Sequence, residues 1–138
     1  MVTYWDASAL VPLVVREVTT KFYTKIAEEA GIVTWWGSYL ECTSAIARLA
    51  GRGSAPTQVA GSYRMLEQLA GEWGEIGVSE KLRRAAARLL KTHGLRTSDA
   101  LQLGAAIVAS GFEPHTVRFV AEDKRLRQAA EREGFVVR

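Results

Sequence analysis

Three aspartates stand in a chain of 138 residues that carries 15 acids in all. Asp6 follows the β-prone run Val2-Thr3-Tyr4-Trp5, with the hydroxyl of Ser8 two residues on. Asp123 follows a second such run, Val117-Arg118-Phe119-Val120, and Asp99 comes just before an apolar stretch that starts at Ala100. Glu41 stands early in a helix expected to follow the run Ile32-Val33-Thr34-Trp35 after a short turn. Each Asp lies where a helix is expected to start, and a helix N-cap is the plain reading of any one of them. Taken together they allow another reading. Carboxylates gathered at one place repel each other, so they either hold protons at raised pKa or share a cation. Oxygen-only ligation suits a hard divalent ion, Mg²⁺ or Mn²⁺. Such a centre can supply a water nucleophile against a phosphodiester.

What would gather them is an alternation of strands and helices, which predicts an α/β fold with a parallel sheet flanked by helices. In such a sheet, right-handed strand–helix units place every strand's carboxyl end on one rim. Asp6, Glu41 and Asp123 all follow strands and so share that rim. Asp99 follows a helix, and the pattern alone does not place it there. Beyond the first strand the spacing predicts a helix with Val18, Phe22, Ile26 and Ala30 on its apolar face, closed by Gly31. Ser38 and Glu41 have the spacing of a capping box. That helix carries Tyr39, Cys42, Ile46 and Leu49 on one face and Glu41, Ala45, Arg48 and Arg52 on another. Pro56 suits a first helical turn. Glu75 to Val78 reads as a short strand, and Ser79 as the cap of a helix ending at His93-Gly94. The helix 100–110 is apolar nearly all round, with Gln102 its one polar residue before Ser110, and is expected to be buried. Phe135 to Val137 reads as a last short strand. No linker, repeat or low-complexity tract interrupts the chain, so residues 1–138 read as one domain.

Composition narrows the function. No apolar run approaches a membrane span and no leader-like succession opens the chain, which points to a cytoplasmic protein without a membrane role. A single cysteine, Cys42, excludes an internal disulfide. The net charge is only +3, weak support for a nucleic-acid partner. Without the four acids, however, 18 basic residues face 11 acidic ones. An acidic pit in a basic surround suits a polyanion drawn to a metal.

The chain resembles the PIN-domain ribonucleases, most closely the toxins of VapBC-type toxin–antitoxin pairs. The resemblance spans nearly the whole length. It rests on Tyr4-Trp5-Asp6-Ala7-Ser8-Ala9-Leu10, on Glu41 opening its helix, on Ser98-Asp99-Ala100-Leu101 and on Phe119-Val120-Ala121-Glu122-Asp123. It implies a single PIN-like α/β/α domain that hydrolyses RNA with Mg²⁺ or Mn²⁺. It implies Asp6, Glu41, Asp99 and Asp123 as catalytic, metal-holding residues, with Ser8 orienting the first carboxylate or its water. It further implies an RNA substrate, a cognate antitoxin and a homodimer. Many relatives carry Thr or Ser two residues before the last Asp, where this chain has Ala121. That departure makes Asp123 the least secure ligand. It also keeps open an alternative, a non-cleaving module of the same fold that grips RNA or protein. A phosphatase of the haloacid-dehalogenase type is excluded, because position 8 is Ser and not a second Asp.

The remaining polar and aromatic residues have simpler readings. His93 and His115 lie away from the acids. Trp5, Trp35 and Trp73 read as core or interface, and Trp36 as exposed. Arg48 and Arg52 share Glu41's side of their helix, as a solvated face or as a contact for RNA or antitoxin.

Overall fold

The computed structural model describes residues 1–138. Its five strands are β1 (Val2–Trp5), β2 (Val33–Trp35), β3 (Gly74–Ile76), β4 (Val117–Val120) and β5 (Val136–Val137). They form one sheet in the order β3-β2-β1-β4-β5, and every pairing is parallel. The chain builds outward from β1 through β2 to β3, then returns to lay β4 on the other side of β1. The order in which strands are added therefore reverses between β1 and β4, the kind of switch point at which open α/β sheets bind ligands. Register is tight there: Val2 pairs with Val117, Tyr4 with Phe119 and Trp5 with Val120.

The two-residue period of a strand sorts side chains to opposite faces. Tyr4 and Phe119, stacked with ring centroids 5.7 Å apart, enter a core with α5 (Glu80–His93), α6 (Thr97–Ala109) and α7 (Lys124–Arg132). Trp5 and Val120 enter the opposite core with α1 (Ala7–Val14), α2 (Thr20–Glu29), α3 (Ser38–Gly51) and α4 (Pro56–Glu72). Strands buried on both faces explain why they read as unbroken apolar runs. The expected α/β/α architecture is thus the observed one. Gly104 lets α6 press against α5, since a Cβ there would stand 3.2 Å from the backbone N of Ala86.

A helix starts after Asp6 as expected: α1, which continues through Pro12; proline there forfeits one backbone bond without ending the helix. Two local expectations are corrected. The next helix starts only at Thr20, and Val18 and Phe22 are exposed while Tyr23 and Ile26 are its buried residues. Ser38 and Glu41 form no capping box: Gly37 holds the N-cap position, and the Ser38 hydroxyl meets Thr34 and Gln102. Elsewhere Pro56 is the first residue of α4 and Ser79 caps α5 through Leu82 N–H. No helix is long and apolar enough to cross a membrane.

Candidate functional site

Asp6 leaves the end of β1 and caps α1. Its Oδ2 accepts the Ser8 backbone N–H at 3.0 Å and also the Ser8 hydroxyl. Its own N–H bonds Val120 O at 2.9 Å, tying it to the end of β4. The Ser8 hydroxyl oxygen in turn accepts the backbone N–H groups of Glu122 (2.9 Å) and Asp123 (3.3 Å). One hydroxyl thus links the first carboxylate to the loop that carries the last. Asp123 caps α7, its Oδ1 accepting Leu126 N–H at 2.9 Å. Ala121, two residues earlier, is fully buried, so the loop's polar anchor comes from Ser8.

Glu41 lies in the first turn of α3, and Asp99 in the first turn of α6, where Arg96 holds the N-cap position. Asp99 is therefore not a cap. Asp6, Glu41, Asp99 and Asp123 line one open cleft of about 480 Å³, with Ser8, Ser44, Ser98, Arg48 and Arg96 among its other walls. The structure thus brings together all four acids and Ser8, including Asp99, which sequence pattern did not place.

The electrostatics follow from burial. Burial, first, lifts Asp6 from 3.8 to about 6; the Ser8 bonds oppose the rise and the charges of Asp99 and Asp123 add to it. Glu41 is pushed to about 7, by burial first and then by the charge of Asp6. Asp99 is also raised, by burial and by Asp123, while Arg96 and Arg125 pull it back. None of the four acids makes an ion pair. Each keeps at least one oxygen that no protein group donates to. No three acid, His or Cys side chains stand close enough to form a ready-made metal cage. The oxygens open to a cation are those a hydrated hard ion uses, with one or two carboxylates direct and the rest through water.

The two arginines expected on one helix face read differently: Arg48 is on α3, whereas Arg52 is the C-cap residue that follows it. Arg48 lines the acidic cleft and donates to Ser44 Oγ at 2.9 Å. Arg52 lines an adjoining hollow that shares Ser8, Val11, Ala45 and Arg48 with it. Glu122 takes the Tyr23 hydroxyl and does not line the cleft. His93 is buried against Glu133 at 2.7 Å, away from the cleft, and His115 lies in the single 3₁₀ turn before β4. Burial pushes the Cys42 thiol up to about 12, an inert core residue. Trp36 is exposed.

Sequence reasoning did not foresee Arg96 on the cleft wall or the surroundings of Glu41. The Trp35 indole N–H has no hydrogen-bond partner in normal geometry, yet stands near enough to Glu41 to favour its charged form. That indole lies over Gly37, where a Cβ would fall 2.3 Å from its ring. Gly37 was the available signal, a small residue just before a helix that needs close approach.

No family model matches the sequence, and no curated protein does. Among solved structures, the chain is similar to the crystal structure of PAE2754 from Pyrobaculum aerophilum. The TM-score is 0.69 at 20% identity, over 99% of this chain and 83% of that one. Identity at that level speaks for the fold alone.

Proposed function

We propose that this chain is a Mg²⁺- or Mn²⁺-dependent endoribonuclease with a PIN-like domain, acting as the toxin of a toxin–antitoxin pair. The observation that carries the reading is the cleft at the β1/β4 switch point. Four carboxylates from residues far apart in sequence line it, Asp6, Glu41 and Asp99 are raised by burial, and none of the four forms an ion pair. A fold gains no stability from such a group, whereas a metal-dependent hydrolase acting on a phosphodiester uses it to hold its ion.

Asp6, Glu41, Asp99 and Asp123 are the residues that would hold the ion. When bound, the metal supplies Lewis acidity at the phosphoryl group and a counter-charge for the carboxylates. The protein's own part is positioning. Ser8 fixes Asp6 and the Asp123 loop relative to each other. Arg48 and Arg96, at the cleft wall, offer guanidinium groups to a phosphate. The toxin role and the antitoxin rest on the resemblance of the four motifs, and the RNA substrate on that resemblance and the basic surround.

The test is cleavage of structured RNA by the parent chain, Asp6→Asn and Asp99→Asn, each with Mn²⁺ and with EDTA. Cleavage is expected only for the parent with Mn²⁺. Cutting that survives EDTA, or survives both substitutions, would refute the mechanism. RNA binding without cutting, across a panel of RNAs, would favour the non-cleaving module.

A further inference from the structure

Gln102 is the one polar side chain on the inward faces of α6, and it is fully buried. A helix that needed only to pack would carry an apolar residue there, because an amide costs free energy to bury unless its groups are bonded. Its Oε1 accepts the Tyr4 hydroxyl at 2.7 Å. Its Nε2 donates to Ser38 Oγ at 2.9 Å and to Glu41 Oε1 at 3.2 Å. The chain of bonds continues from Ser38 Oγ to Thr34 Oγ1 at 2.5 Å, and from Thr34 Oγ1 to the carbonyl of Trp5 at 2.7 Å. Thr34 spends its proton on that carbonyl, so Ser38 donates to Thr34 and is free to accept from Gln102. The circuit begins on β1 at Tyr4 and ends on β1 at Trp5, the residue before Asp6.

The direction of the amide is set by this circuit. Turned over, it would aim its oxygen at the carboxylate of Glu41 and leave the Tyr4 proton without an acceptor. We infer that Gln102 is a positioning residue: it holds the Glu41 carboxylate in place relative to Asp6 through a donor that cannot ionise. The inference rests on the reading that Glu41 works in the cleft, and it adds a residue that touches neither substrate nor ion.

The competing account is that Gln102 merely joins α6 to α3 and β1. Two variants separate the accounts. Gln102→Met keeps length and volume but strands the Tyr4 hydroxyl and frees Glu41. Tyr4→Phe/Gln102→Met removes the stranded hydroxyl as well, and replacing both partners by apolar groups is close to neutral for stability. The first measurement is a metal-free crystal structure of each variant. Glu41 should leave its parent rotamer in both; a Glu41 that stays in place overturns the inference, whatever the metal does. The second is Mn²⁺ affinity by calorimetry beside thermal melting. Gln102→Met should lose both stability and affinity, the affinity roughly tenfold or more. The double variant should recover most of the stability and little of the affinity. Recovery of both together would mean a structural role only and overturn the inference. A parent that binds no Mn²⁺ would overturn the proposed function instead, and the rotamer of Glu41 would then decide the role of Gln102.

Discussion

Asp6→Asn tests the central physical claim, that the cleft gathers charge at a cost to the fold. Asn accepts the Ser8 N–H as Asp does and caps a helix about equally well, so the substitution removes little but the charge. Burial lifts Asp6 from 3.8 to about 6 in the folded chain; at about 1.4 kcal/mol per pH unit this is a cost of about 3 kcal/mol. The sign follows from linkage. A carboxyl raised on folding costs stability in full above its folded pKa, and the cost shrinks as pH falls, vanishing below its unfolded pKa. Between pH 7.5 and 4.5 the parent should therefore regain about 2 kcal/mol from Asp6 alone. Glu41 and Asp99 are raised too and push the same way. The amide gives weaker bonds to Ser8 than a carboxylate, so we expect Asp6→Asn to gain about 1–2 kcal/mol at pH 7.5 in EDTA, net of that loss. For a chain of this length that is about 3–7 °C in Tm. The assay is thermal melting of parent and variant in EDTA at several pH values between 4.5 and 7.5. The gap should close as pH falls. A variant less stable than the parent at pH 7.5, or a gap that does not change with pH, would refute the burial argument.

Ser8→Ala removes the oxygen that joins Asp6 to Glu122 and Asp123, and should cost about 2 kcal/mol. Amide hydrogen exchange at Glu122 and Asp123 should speed up; unchanged exchange would show that the loop does not depend on Ser8. Arg48→Ala and Arg52→Ala should each weaken RNA binding and lower its salt dependence by about one counterion. Binding with the parent's slope would return both residues to a solvated face.

Much of the fold was legible because β1, β2 and β4 are buried on both faces and so stand out as apolar runs. The carboxylates after β1, and β4, were legible for the same reason: a strand's end announces the rim. Asp99 was legible only through the resemblance of its motif and not from the strand–helix pattern, because its place depends on how α6 packs against α5 and the sheet, with Gly104 permitting the approach. Ser38 misled because a hydroxyl three residues before a glutamate looks the same whether it caps its helix or bonds Thr34. The spacing of Val18, Phe22 and Ile26 misled in another way. Periodicity reports a stripe, and only packing tells which neighbouring stripe is buried; here it is the one with Tyr23. Gln102 was visible as an anomaly, a lone polar residue in an apolar helix, but its partners lie on two other elements, β1 and α3.

The placement of β1 bears on how the chain comes together during synthesis. β1 is the middle strand of the sheet and is made before the other four, yet one of its two neighbours is β4, and the bond from Glu122 N–H to Ser8 Oγ closes over 114 residues. Non-local pairing of this kind is slow to form, since a long loop must close before any contact rewards it. Until β4 emerges, Val2–Trp5 presents an apolar strand with an open edge, the sort of segment that pairs with other chains. The acids obey the same schedule. Asp6 and Glu41 leave the ribosome before Asp123, which takes its place only when β4 docks. The cluster therefore stays incomplete until β4 and the loop after it have been made, and any activity that needs all four acids is withheld until then.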